Sequence, residues 1–122
     1  MASKFDLKQL QDERGFLEGF HKILGENDPD FLSKYNEVWR YNMRRPNGLP
    51  AKIVDLLRLA CVATAREPIG VRHLVENALK DGATKEEILQ TIQIAYHFSG
   101  APTLVIAMPI WKEVIDEWEK TH

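Results

Sequence analysis

At 122 residues the chain fits one domain, 1–122, long enough to bury a core and too short for two of ordinary size. Sixteen Lys and Arg against eighteen Asp and Glu leave a formal charge of -2, with no basic tract to follow a phosphate backbone, which argues against nucleic acid as a partner. Cys61 is the single cysteine, so an intramolecular disulfide, a CxxC pair and a thiolate-rich zinc cage are excluded; with no apolar run of membrane-spanning length and no apolar signal core in residues 1 to 20, the cytoplasm is expected.

Hydrophobic periodicity reads as helix after helix, without alternation long enough for a sheet, so an all-α fold is expected. A first helix, about residues 6 to 24, carries Leu7, Leu10, Leu17, Phe20 and Leu24 on one face, with Gly15 and Gly19 weakening its middle. In "NDPDF", Asp28 is the expected N-cap and Pro29 the first residue of a second helix whose core side is Phe31, Tyr35, Val38 and Trp39. "RRPNGLP" ends it, and Pro50 opens a third helix that is apolar nearly all round from Ile53 to Thr64. Such a helix calls for cover on most sides, which either a central place in a monomeric bundle or oligomerisation supplies.

Pro68 opens the fourth helix, with Val71, Leu74, Val75, Ala78 and Leu79 as its stripe and Gly82 as a left-handed stop. Thr84 and Glu87 form a capping box for the fifth, whose inner face is Ile88, Leu89, Ile92, Ala95 and Tyr96 until "SGAP" breaks it at Gly100. Pro102 begins the last helix, where Leu104, Met108, Trp111, Ile115 and Trp118 alternate at spacings of four and three and Pro109 should introduce a kink. Trp39, Trp111 and Trp118 read as packing residues, and Cys61, between Ala60 and Val62, as a small buried hydrophobe.

From Pro50 onward the order "LPAKIVDLLRLACVATA", "REPIGVRHLVENALKDGATKEEI", "IQIAYHFSGAP" resembles the carboxymuconolactone decarboxylase family, related to the AhpD-like alkylhydroperoxidases. The pattern is an acidic residue opening an apolar helix, a histidine early in the next, then "G-A-T-x-E-E-I" and "G-x-P". With "DPDFLSKYNEVW" as the family's opening helix, the resemblance covers roughly residues 29 to 119, and residues 1 to 28 are less diagnostic. It implies an AhpD-like bundle of about six helices, assembled as a homotrimer or homohexamer, with the site at or near a subunit interface. Peroxidase-like members carry a CxxC before the histidine; counted back from His73, those positions hold Arg66 and Ile69, so dithiol peroxide reduction is disfavoured. The decarboxylase branch also lacks the cysteines, and Arg66, Glu67 and His73 match its "R-E" and histidine. Asp55 stands where the family usually has glutamate, and the segment from Asp55 to Arg66 is one residue short.

The resemblance implies a lyase that acts on a small unsaturated carboxylic acid or lactone in the catabolism of aromatic compounds, and the residue chemistry is compatible with one that uses no cofactor. Loss of carbon dioxide leaves an electron pair that an unsaturated lactone or ketone accepts as an enolate, so the protein need only hold charges and deliver a proton. The N-terminus of the fourth helix and the planar fork of Arg66 suit a substrate carboxylate. His73, opposite the apolar stripe, is the expected proton donor, and Asp55 or Glu67 can orient its ring. Tyr96, read as core with a hydroxyl needing a partner, and His97, on a polar stripe beside "SGAP", are the expected substrate-binding residues beside Arg66. Two further readings differ in class. One is a metal-assisted hydrolase, hydratase or lyase using His73, His97 and a carboxylate, which requires the histidines to converge. The other is a non-catalytic organic-acid-binding or interaction protein.

Overall fold

The computed structural model describes residues 11–12 and 19–122, and within them it delimits six helices and no strand. None of these helices is long and apolar enough to cross a membrane. The chain divides into two compact units, one up to Gly48 and one from Leu49.

The first unit holds α1 (Gly19–Asn27) and α2 (Pro29–Met43), which pack against one another. Leu7, Leu10, Gly15 and Leu17 of the expected first helix lie outside the described residues. At the described end, Phe20 and Ile23 are exposed and His21 is buried, its ring stacked on Phe20 and edge-on to Tyr35. Asp28 caps α2 as expected, accepting from the Phe31 N–H at 3.1 Å, with Pro29 in the first turn where its missing N–H costs nothing. The buried side of α2 is Leu32, Asn36 and Trp39. Phe31 and Val38, expected inside, are exposed, because the burying stripe runs along the 32, 36, 39 register and these two residues, seven apart, lie together on one flank of it.

The second unit holds α3 (Ala51–Thr64), α4 (Pro68–Lys80), α5 (Lys85–Ser99) and α6 (Ala101–Thr121). Both α3 and α6 lie against α4 and α5, so the four helices enclose one core with α3 and α6 on its diagonal. Leu59, Ala63, Val71, Leu74, Val75, Ala78, Ile88, Ile92 and Ala107 form its centre. The whole expected stripe of α4 is buried. Gly82 stops that helix at φ +97°, with the Ala83 N–H bonded to the Ala78 carbonyl at 2.9 Å. The Thr84–Glu87 capping box is present on α5, and Gly100, at φ +88°, separates α5 from α6.

Three burial expectations are corrected. On α3, Leu57 and Cys61 are exposed, so the small-buried-hydrophobe reading of Cys61 fails: the buried side is Val54, Asp55, Leu59 and Ala63, and the other side has no helix over it within the unit. Tyr96 is exposed, since the stripe Ile88, Ile92, Ala95 puts it about 70° from the core direction, at the edge of the buried arc. On α6 the fully buried residues are Thr103, Ala107, Val114 and Ile115, and the bulkier Leu104, Met108, Trp111 and Trp118 are half-buried beside them. Small residues on the contact line allow the close approach, and the large ones fill its flanks. The helix continues through Pro109.

Candidate functional site

The residues around the start of α4 are set by how α3 ends. The Arg66 N–H bonds the Ala63 carbonyl and the Glu67 N–H bonds the Val62 carbonyl, both at 3.0 Å, closing the last turn of α3 around Arg66. Arg66 stands at φ +60°, in the left-handed position where glycine is the usual occupant. Glu67 is then the N-cap of α4 and Pro68 its first residue, so two adjacent residues close one helix and open the next. Gly70 lets the first turn of α4 lie close on α3, since a Cβ there would sit 3.1 Å from Val62 Cγ1.

The Arg66 guanidinium donates to the Ser99 carbonyl at 2.6 Å. The charge therefore rests at the carbonyl end of α5, which favours a cation. Ser99 is itself held, its hydroxyl donating to the Ala95 carbonyl at 2.9 Å and bonded to the Thr103 hydroxyl. This contact brings Arg66 to the last turn of α5, the turn that carries Tyr96 and His97, whose rings lie 5.3 Å apart and are both exposed. A guanidinium has five N–H donors, so the bond to Ser99 uses part of its capacity.

The donors expected to hold a substrate carboxylate at the N-terminus of α4 hold Glu67 instead. Glu67 Oε2 accepts from the Ile69 N–H at 2.8 Å, and both oxygens lie within 3.3 Å of the Gly70 nitrogen. The Val71 N–H bonds the Glu67 carbonyl and Pro68 has none, so the orphan donors of this helix end are taken. Glu67 thus acts as a cap, with its carboxylate on its own helix. Asp55 is buried and faces Arg58, Oδ1 to Nη1 3.8 Å, the local ion pair that the spacing allows.

His73 projects from α4 beside the buried Leu74, its side chain 32% exposed. Among the described residues, Glu76 places a carboxylate against it, with Oε1 3.7 Å from His73 Nδ1. Sequence reasoning missed Glu76, although its i, i+3 relation to His73 puts both on one helix face. It also missed Ser99, for which no local signal exists, because a carbonyl 33 residues away is brought to Arg66 only by the fold. Glu76 further borders an open groove of about 320 Å³ between α4 and α6, with Arg72, Lys80, Val114 and Trp118 among its walls. Ion pairs tie the helices around the site: Arg72 to Glu113 at 2.8 Å, Lys52 to Glu87 at 3.3 Å and Lys85 to Glu119 at 2.9 Å. The Thr84 N–H and the Lys52 ammonium hold the Glu87 carboxyl below its ordinary pKa, and the bond to Glu119 raises that of Lys85. Among the described residues no group of three or more His, Cys, Asp and Glu side chains is arranged to hold a metal ion, so His73 and His97 do not form such a set.

Residues 29–113 match the model of the carboxymuconolactone decarboxylase family. The backbone is similar to the crystal structure of a candidate carboxymuconolactone decarboxylase from Burkholderia xenovorans LB400, with a TM-score of 0.78 and 22% identity over 93% of this chain and 87% of that one. At that identity the likeness shows a shared all-α fold. No curated protein sequence matches the chain.

Proposed function

The chain belongs to the carboxymuconolactone decarboxylase family, and on that footing we propose that it is a decarboxylase-like carbon-carbon lyase for a small unsaturated carboxylic acid or lactone. The observation that carries the reading is the family match over 29–113, within which the residues at the two cysteine positions of the peroxidase branch are Arg66 and Ile69. The only thiol, Cys61, has no second cysteine to form a disulfide with, which disfavours dithiol peroxide chemistry.

In this reading the unused edge of the Arg66 guanidinium receives an acidic group of the substrate, next to the turn bearing Tyr96 and His97. The bond to carbon dioxide breaks and its electron pair passes into the unsaturated system as an enolate. His73 then supplies the proton, to carbon or to the enolate oxygen, and the chemistry calls for no cofactor. Glu67 contributes by capping α4, from whose second turn His73 projects, while Asp55 is paired with Arg58 on the same turn of α3. The family implies a trimer or a dimer of trimers, and the exposed Leu57, Ile94, Phe98 and Val105 of the second unit offer apolar surface for such an assembly.

The test is the loss of ultraviolet absorbance of carboxymuconolactone, followed for the wild-type protein and His73→Ala with and without chelator. Turnover that survives chelator and falls by about 100-fold or more in His73→Ala supports the reading. Chelator-sensitive turnover favours a metal-assisted reaction. Absence of wild-type turnover on this and related unsaturated acids, with their binding retained, makes the protein an organic-acid binder.

A further inference from the structure

We propose that Glu76 is the positioning residue for His73, holding the Nδ1 side of the imidazole so that Nε2 is the nitrogen that delivers the proton. The inference rests on the lyase reading above and names the carboxylate which that reading needs. Three carboxylates were candidates by sequence or geometry, and Glu76 is the one that stands beside the His73 ring at a defined distance. Glu67 directs both oxygens to the N–H groups of Ile69 and Gly70. Asp55 stands against Arg58 on α3. Glu76 stands against His73 itself, 3.7 Å from Nδ1 and one helical turn further along α4.

That spacing is a close charge contact, slightly beyond hydrogen-bond length, and a small rotation of either side chain closes it. Glu76 is on the same rigid helix as His73, so the pairing does not depend on a loop. Its side chain is 43% exposed and borders the open groove against α6, so its charge is not one the fold requires for burial.

The step balances as follows. Imidazolium His73 gives its Nε2 proton to the enolate or carbanion left by decarboxylation. The N–H electron pair stays on the ring, which becomes neutral. The Nδ1–H remains on the ring, facing Glu76, and Glu76 takes no proton. A carboxylate at Nδ1 thus selects which ring nitrogen carries hydrogen in the neutral form.

The experiment compares wild type, Glu76→Gln and Glu76→Ala by nitrogen-15 NMR of the histidine rings, alongside turnover and urea midpoints. In wild type, neutral His73 is expected to carry its proton on Nδ1. In Glu76→Ala the two ring-nitrogen signals of His73 move toward the opposite tautomer, and Glu76→Gln, which keeps an acceptor oxygen, lies between. Glu76→Ala lowers kcat by roughly 10-fold, a part of what a well-placed general acid contributes, with KM changed less. Unchanged urea midpoints separate this from a structural effect. Ring signals of His73 that are the same in wild type and Glu76→Ala overturn the proposal, as does an unchanged kcat despite moved signals. If the wild type turns over no lactone or acid, the lyase reading fails separately, and the NMR comparison still decides whether Glu76 holds His73.

Discussion

Replacing Glu67 by alanine removes the cap of α4, and its effect follows from the contacts at that helix end. Pro68 has no N–H and Val71 keeps its bond to the Glu67 carbonyl, so the substitution strands two donors, on Ile69 and Gly70. One bond is exposed and the other partly buried, so water replaces the carboxylate only in part. Loss of an N-cap costs about 1 kcal/mol, and loss of a negative charge at a helix N-terminus about 0.5 kcal/mol more. At an m-value of about 2 kcal/mol/M in urea, a total near 1.5 kcal/mol moves the unfolding midpoint down by roughly 0.7 M. Glu67→Gln retains an acceptor oxygen and loses only the charge, so its midpoint falls by about a third as much. The assay is urea unfolding followed by far-ultraviolet circular dichroism, with turnover measured on the folded variants. An unchanged midpoint in Glu67→Ala refutes the capping role. Glu67→Gln that is as stable as wild type but inactive returns Glu67 to the reaction as an acid or base.

Gly82→Ala puts a side chain at φ +97° where nothing lies within 4 Å, so its cost is purely conformational, about 1–2 kcal/mol. Gly82→Asn should lose clearly less, and equal losses by thermal unfolding would show that something other than the left-handed backbone is responsible. The Glu87 carboxyl is held below its ordinary value of 4.5, so its contribution to stability is complete above that pH and is lost as pH falls through the lower folded value. Lys85, raised above 10.5, behaves oppositely: its contribution is complete below that pH and lost as pH rises through the folded value. The urea midpoint of Glu87→Gln should therefore approach that of wild type in acid, and that of Lys85→Met should approach it in strong alkali. Gaps that stay constant across those ranges would show that neither charge contributes to folding.

The helices, their order and most of their ends follow from short-range chemistry. Asp28 before Pro29, Thr84 with Glu87, Pro68 in a first turn and Gly82 after a last one act through neighbours within about one turn, so the sequence alone determines them. The same holds for the family, whose pattern lies in the order and spacing of such local signals between Pro29 and the last helix. Glu67, by contrast, has a partner that the sequence leaves open: a glutamate beside a helix start can serve acid chemistry or cap the helix, and here its oxygens lie on the N–H groups of its own helix. Which flank of a helix is buried needed the tertiary structure, because periodicity places apolar residues on an arc and only the neighbouring helices choose within it. Phe31, Val38, Leu57, Cys61 and Tyr96 lie at the edges of such arcs and turn outward. The fold alone decided that Arg66, in a left-handed turn, reaches the Ser99 carbonyl 33 residues away and so meets the helix end carrying Tyr96 and His97. A contact across that separation is a property of how α3, α4 and α5 pack in three dimensions, and no spacing along the chain encodes it.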